Sequence, residues 1–468
     1  MLDILIKHAT VVTVNAKREI LRDGALAIRG DRIVDIGDTG ALSSRYPEAA
    51  RVIDATGKIV FPGLINTHNH MFQSLLKGLG DDRVLSDWLV ECMFPSAATI
   101  SREAVYYGGM ISCLDNIHSG TTTILDYMHA QSSPMLSDGA IEAFRTTGVR
   151  GILGRGYTDV GEQFGTPLAM IEEPEAIRKD ILRLLDTYHN TEDGRIRVWL
   201  APAAVWLSSK EMLLWSRDTA REYGTGLTVH CSETPFDRQA SQEIHGMPDT
   251  DTLASYGILG PDCLLVHCVH LTERDIRMLK YHDARVSHNP GSNMYLSSGV
   301  APIPKLNECG VTVGLATDGA ASNNSNDMIE MLKLAALMQK VYHQDPTIIT
   351  AEKVLEMATI DGARAIGMEG EIGSLETGKK ADLFIFDPHA SAKSTPMHNP
   401  VSTLVYSAGE NNVETVVVDG RIILDHFRPT FVDDERSVLI RAQELADELT
   451  ETAGTCVNKH RPWRSLAY

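Results

Sequence analysis

The chain has 468 residues, of which 43% are hydrophobic and 22% charged, an ordinary globular composition that excludes disordered, collagen-like and coiled-coil architectures and leaves ample apolar material for a large core. Its formal net charge of −19 at pH 7 sets a mean field that repels nucleic acid and anionic membranes, so neither is an expected partner.

The opening run Met1-Leu-Asp-Ile-Leu-Ile-Lys-His is apolar only briefly, and nothing later reaches the roughly 18 uninterrupted apolar residues that a spanning helix requires. From Ile4 to about Val60, short β-branched runs (9–14, 25–28, 32–36) alternate with turns such as Arg29-Gly30-Asp31, which predicts a small antiparallel unit. The same texture returns at 381–387 and 415–424, where Asp419-Gly420 is a strong hairpin signal. The two flanks, residues 1–60 and 368–430, are expected to pair into one composite β-sandwich. Between them, strand-like runs near 61–66, 122–126, 149–154, 198–203, 227–231, 264–268, 285–288 and 313–317 alternate with helix-length amphipathic segments. That alternation predicts an α/β fold, a (β/α)8 TIM-type barrel over residues 61–367. Residues 431–468 read as a C-terminal helix, from Ser437 to about Thr450, and a polar tail. The seven cysteines are scattered, odd in number and without a Cys-x-x-Cys pair, so no disulfide framework is expected and a cytosolic location is.

Several of these strands end in polar residues, and the carboxyl ends of barrel strands are where active sites are assembled. The first ends in Asn66-Thr67-His68-Asn69-His70, whose histidines at i and i+2 share a face and can reach one metal ion. In a chain with 17 histidines that pair alone carries little. His230 closes Leu227-Thr-Val-His230, His267 closes Leu264-Leu-Val-His267, and Asp318 closes Val313-Gly-Leu-Ala-Thr-Asp318. Four imidazoles and a carboxylate at four strand ends form a mononuclear divalent site, because buried polar groups without partners are rare.

With these residues in place the sequence resembles the amidohydrolase superfamily, and within it the cytosine/adenosine-deaminase-like and triazine-hydrolase branch. The resemblance spans nearly the whole chain and implies the barrel and terminal sandwich already read. It implies His68, His70, His230 and Asp318 as metal ligands. Arg197-Val-Trp-Leu-Ala-Pro-Ala203 lacks the lysine that binuclear members carboxylate, which implies one divalent ion, with zinc the default and iron the alternative. Such an ion lowers the pKa of bound water towards neutrality and so supplies hydroxide. By the same resemblance Asp318 takes the water's proton, Glu233 in His230-Cys-Ser-Glu233 protonates the ring nitrogen, and His267 orients the water. Homo-oligomers are frequent in this family.

Finer motifs bear on the substrate. Val286-Ser-His288-Asn-Pro-Gly-Ser-Asn293 and Thr317-Asp-Gly-Ala-Ala-Ser-Asn-Asn-Ser325 are similar to deaminases of purine and thiomethyladenosine type, making His288 and Asn293 candidate substrate contacts. Gln73, Ile244-His-Gly-Met247, Ser298-Gly-Val-Ala-Pro302, Met357-Ala-Thr-Ile-Asp-Gly-Ala-Arg364 and Pro462-Trp-Arg-Ser465 look like melamine deaminase and atrazine chlorohydrolase. A Gln73 amide suits ring nitrogens and exocyclic amines, and Trp88, in the loop after the first barrel strand, can stack on a flat ring. Nucleoside-type members carry a glutamate where Phe94-Pro-Ser-Ala97 has Ala97, which implies a free heterocycle. The expected activity is therefore release of ammonia from an aminotriazine, aminopyrimidine or purine base. The alternatives are a triazine hydrolase displacing chloride or alkylamine, a thiomethyladenosine/adenosylhomocysteine-type deaminase, and a non-catalytic structural homologue.

Overall fold

Gly63 divides one apolar run between two sheets. In the computed structural model, which describes residues 2–463 and 465, the run expected to form a single strand from Phe61 splits there. Upstream lie strands β1 (Leu2–Val12), β2 (Ile20–Arg29), β3 (Arg32–Asp38), β4 (Ala49–Asp54) and β5 (Ile59–Pro62). Downstream come the barrel strands β6 (Leu64–Asn69), β7 (Thr121–Met128), β8 (Arg150–Tyr157), β9 (Ile196–Pro202), β10 (Leu227–Cys231), β11 (Cys263–His267), β12 (Arg285–His288) and β13 (Val313–Leu315). A side chain at position 63 would meet the Thr122 hydroxyl at 2.0 Å, so only glycine lets the chain cross between the layers here. Phe61 thus belongs to the terminal sheet, where its ring stacks on Phe384 at 5.3 Å.

The remaining strands, β14 (Leu383–Phe386), β15 (Val413–Val418), β16 (Arg421–Asp425) and β17 (Arg428–Pro429), return to that terminal sheet, whose order is β17-β16-β15-β14-β5-β1-β2-β3. Strand β1 pairs with β4 over its first half and with β5 at Thr10 and Val11, and His8 between them takes a left-handed φ of 63°. The sheet therefore bends and packs on itself, with Leu26, Ile28 and Ile33 in one cluster with Leu383, Ile385 and Val417. Asp419 and Gly420 both have positive φ, 48° and 71°, as a two-residue hairpin turn demands. The helix Glu435–Thr452 follows. Arg464, within the terminal motif 462–465, and residues 466–468 lie outside the described residues.

The eight barrel strands pair in parallel in sequence order. The helices between them begin at local caps: the Ser101 hydroxyl accepts from the Ala104 amide, Ser209 from Met212, and Thr272 forms a capping box with Asp275. Several end on left-handed glycines, Gly148, Gly224 and Gly246. The ring closes where the Asp318 amide donates to the His68 carbonyl at 3.1 Å and the Thr67 hydroxyl donates to the Leu315 carbonyl at 3.1 Å. Among the described residues no helix is long and apolar enough to cross a membrane.

Arg150, at the start of β8, joins the barrel to the terminal sheet. It is 1% exposed, and donates to both oxygens of Asp382 (2.9 and 3.1 Å) and to Asp419. Removing one partner of a buried ion cluster strands the others as uncompensated charge. Arg150→Met is expected to cost about 3–5 kcal/mol of stability, read as a fall in the urea unfolding midpoint, and adding Asp382→Asn should recover part of it. A loss below about 1 kcal/mol would mean that the two carboxylates are solvated without the guanidinium.

Candidate functional site

Alternation along β6 sends His68 and His70 to one side and Asn69 to the other, where its amide donates to Thr317 Oγ1 (2.8 Å) and Asn326 Oδ1 (2.9 Å). His68 Nε2 lies 3.1 Å from His70 Nε2, and Asp318 Oδ1 is 3.3 Å from the first and 3.4 Å from the second. His230 and His267 complete the cluster: ligating atoms of His68, His230 and His267 lie within 4.8 Å of one another, as do those of His68, His70 and Asp318. The ring of His70 lies parallel to that of His230 at 5.5 Å.

Two of these imidazoles have a fixed tautomer. His70 Nδ1 lies 2.7 Å from the Tyr127 carbonyl and His230 Nδ1 lies 2.6 Å from the Ala203 carbonyl. A carbonyl only accepts, so each Nδ1 carries the proton and each Nε2 turns a lone pair towards the other ligands. Burial keeps both rings well below the ordinary imidazole pKa, and therefore neutral. Lone pairs and a carboxylate converging in this way can hold a cation between them, and three imidazole nitrogens with one carboxylate oxygen are a donor set that suits a single divalent transition ion.

The strand ends that carry these groups are strained. Ser232, His267, Cys268 and Asp318 all have left-handed φ, at 49°, 71°, 51° and 64°. Such conformations persist only where surrounding contacts over-determine them. At Ser232 the Asp249 carboxylate accepts from both the amide (2.6 Å) and the hydroxyl (2.8 Å), and the Ser232 carbonyl accepts from His270. The turn after His230 is thereby fixed, and it aims Glu233 into the site. Glu233 Oε2 stands 3.6 Å from His267 Nε2, and Oε1 accepts from Ser298 at 3.2 Å. Burial pushes the Glu233 carboxyl up to about 7. His267 is held above the usual imidazole value; burial opposes this, and the Glu233 and Asp318 carboxylates outweigh it.

His70, His230, Glu233, His267 and Asp318 line one cavity. Gln73 and Trp88 are on its wall. Gln73 is 1% exposed and its Oε1 has no partner among the described residues; a side chain at Gly319 would strike that oxygen at 2.0 Å. Trp88 donates to the Ala321 carbonyl at 2.9 Å and depends on Gly80, where a Cβ would meet its ring at 2.4 Å. The structure puts the other two expected substrate contacts elsewhere. Asn293 does not line the cavity; its Oδ1 sits 3.0 Å from His267 Nδ1 and orients that ring. His288 is also absent from the wall. Ser287 reaches Thr67 at 2.7 Å, so alternation turns His288 away, buried, without a partner for either ring nitrogen among the described residues. Ala97 is buried and off the cavity wall.

Sequence reasoning missed His129 and Asp237, which both line the cavity. His129 follows the end of β7 and its Nδ1 lies 3.1 Å from His70 Nδ1. Its place just past a barrel strand was the available signal. Asp237 accepts from the Trp206 indole at 2.8 Å.

Comparison with known proteins fits this geometry. Residues 59–423 match the Amidohydrolase family, and residues 24–49 match the imidazolonepropionase-like composite domain of bacteria. A 5'-deoxyadenosine deaminase of Methanosarcina acetivorans is 38% identical over 97% of this chain and 100% of its own. A 5-methylthioadenosine/S-adenosylhomocysteine deaminase of Acetivibrio thermocellus is 35% identical over 95% and 99%. Among solved structures, a zinc-bound adenosine deaminase from Xanthomonas campestris superposes with a TM-score of 0.88 at 28% identity, covering 96% of this chain and 99% of that one. A zinc-containing atrazine chlorohydrolase from Arthrobacter aurescens gives a TM-score of 0.87 at 26% identity over 95% and 100%. With a His/Asp cluster able to hold a metal ion at the strand ends and relatives matched from end to end, the chain belongs to the amidohydrolase family, as a metal-dependent hydrolytic deaminase.

Proposed function

We propose that the protein hydrolyses the exocyclic amine of an adenine-type heterocycle, releasing ammonia and leaving a ring carbonyl. The observation that carries this reading is Glu233, a buried carboxyl facing the cavity beside His267, at a pKa of about 7 that lets it hold and give a proton near neutral pH. The relatives named for 5'-deoxyadenosine and 5-methylthioadenosine support the purine.

His68, His70, His230 and Asp318 would hold one divalent ion, and zinc is our assignment, since the donor set suits it and both solved neighbours contain it. When bound, such an ion supplies a water activated at neutral pH. Glu233 Oε2 gives its proton to the ring nitrogen next to the amine-bearing carbon, which makes that carbon electrophilic. Asp318 Oδ2, 3.9 Å from His267 Nε2, accepts a proton from the incoming water, while His267 holds that water's orientation. The C–O bond forms and the proton on Asp318 passes to the amine; the C–N bond then breaks to release ammonia as the remaining hydroxyl proton returns to Glu233, leaving the ring carbonyl and regenerating both carboxyl groups. The unpartnered Gln73 Oε1 accepts a hydrogen bond from the heterocycle.

The first test is ammonia release by metal-replete protein against adenine nucleosides, free purine bases, aminopyrimidines and aminotriazines, with chloride release from chlorotriazines scored alongside. Ammonia from adenine compounds is expected; chloride without ammonia would transfer the assignment to triazine dechlorination. His70→Ala and His230→Ala should each lose bound metal, by elemental analysis, together with activity. Glu233→Gln should keep its metal while kcat falls by roughly 10²–10⁴-fold. Full turnover in that variant would remove Glu233 from the proton path.

A further inference from the structure

Beside the inner cavity lies a second one that shares with it the lining residues Leu85, Leu89, Phe94, Thr166, Trp206 and Asp237. Three aromatic rings line it, Trp206 on the side shared with the inner cavity and Phe164 and Phe236 on the outer side alone. Phe164, Trp206 and Phe236 meet edge to face in all three pairings, with centroids 5.1–5.5 Å apart. Phe236 is 44% exposed and Val84 and Val90 at the rim are more than half exposed, so apolar surface faces water at the mouth of the site.

The charges are one-sided. Glu233, Asp237 and Asp318 line the combined space, while no lysine or arginine among the described residues does. Neighbouring cations are engaged elsewhere: Arg155 donates to both oxygens of Glu172 at 2.8 Å and to Asp180 at 3.0 Å, and Arg83 pairs with Glu91 at 2.7 Å. The oxygens of Asp237 are already occupied by the Trp206 indole and by the amide and hydroxyl of Thr234, so its negative charge stays at the junction between the two cavities.

We infer that the outer cavity is a subsite for an apolar, uncharged substituent carried by the heterocyclic substrate, and that it rejects substituents ending in a carboxylate. The inference rests on the deaminase reading for its inner half, because the heterocycle must reach Glu233 for its substituent to lie against the aromatic triad. Aromatic edges and faces give an alkyl or thioether group dispersion contacts. A carboxylate there loses its water, finds no cation and meets Asp237, so it is excluded by desolvation and repulsion together.

The test compares 5'-methylthioadenosine with its 5'-carboxymethylthio analogue, which differ by one carboxylate. Ammonia release and calorimetric binding are both measured on metal-replete protein. Wild type should favour the methylthio compound by at least about tenfold in kcat/KM and in affinity. Phe236→Ala should lower kcat/KM for the methylthio compound about tenfold. Phe236→Arg, which supplies the missing cation at an exposed position, should narrow the preference between the two. Equal affinity for the two thioethers in wild type, or a preference unmoved by either substitution, overturns the subsite. Binding that discriminates between the tails without ammonia from either compound supports the subsite and overturns the deaminase reading for adenine compounds. Ammonia release indifferent to the tail does the reverse.

Discussion

The contact on which the rest depends is the hydrogen bond from the Asp318 amide to the His68 carbonyl, where the last barrel strand meets the first. It closes the ring of strands and, in the same step, brings a carboxylate from one end of the barrel sequence against two imidazoles from the other. Some 250 residues separate these groups along the chain, at positions 68 and 318. No local interaction could hold them within 3.3–3.4 Å. Asn66 reinforces the seam on its outer side, donating to Thr317 Oγ1 at 2.8 Å and accepting from the Thr317 amide at 3.1 Å. Assembly of the metal site and closure of the fold are therefore one event. The left-handed backbone at these strand ends is held by local hydrogen bonds, as at Ser232 by the Asp249 carboxylate.

Polar groups sit at opposite ends of this barrel for opposite reasons. At the start of β8, Arg150 is enclosed with Asp382 and Asp419, and every charge has a partner of opposite sign. That end fixes the terminal sheet to the barrel. At the carboxyl ends, four imidazoles and two carboxylates converge with no lysine or arginine among the described residues on the cavity wall, an arrangement able to hold an ion. Paired charge at the base reads as stability; unpaired ligands at the top read as chemistry.

Much of the fold was legible in the sequence, because the signals were local. Each barrel strand is a short apolar run, and His230 and His267 lie at or next to the ends of theirs, so the barrel and the clustering of these histidines could be read from runs and their last residues. What escaped depended on packing between distant segments. The split at Gly63 has only Pro62-Gly63 as its trace in the run, and the requirement for glycine comes from Thr122 on the next barrel strand. Asn293 and His288 sit in a motif that follows the substrate-binding end of a strand, yet one turns to His267 and the other away from the cavity. Spacing gives a residue's strand; the register of that strand and the path of the following loop decide which side it serves. His129 was missed for the complementary reason: the apolar run of β7 fades at Asp126, three residues before the strand end delivers a histidine to the wall.

The composition of the cavity explains how one site can combine a near-neutral carboxyl with a strongly ionised one. Glu233 and Asp318 flank the same imidazole, His267, at 3.6 and 3.9 Å. Both are buried, and for each burial alone would raise the pKa. Asp318 has His68 and His70 against it as well, and with those imidazoles and His267 it is held well below the usual carboxylate range. Glu233 has only His267 and a serine hydroxyl, with Asp237 and Asp318 as negative neighbours, so burial prevails. Two carboxylates in one pocket are thus driven apart in pKa by their unequal share of the histidines, which gives one acid able to donate a proton and one base able to receive it. No lysine or arginine among the described residues lines either cavity, so histidines alone set the balance between the two carboxyls.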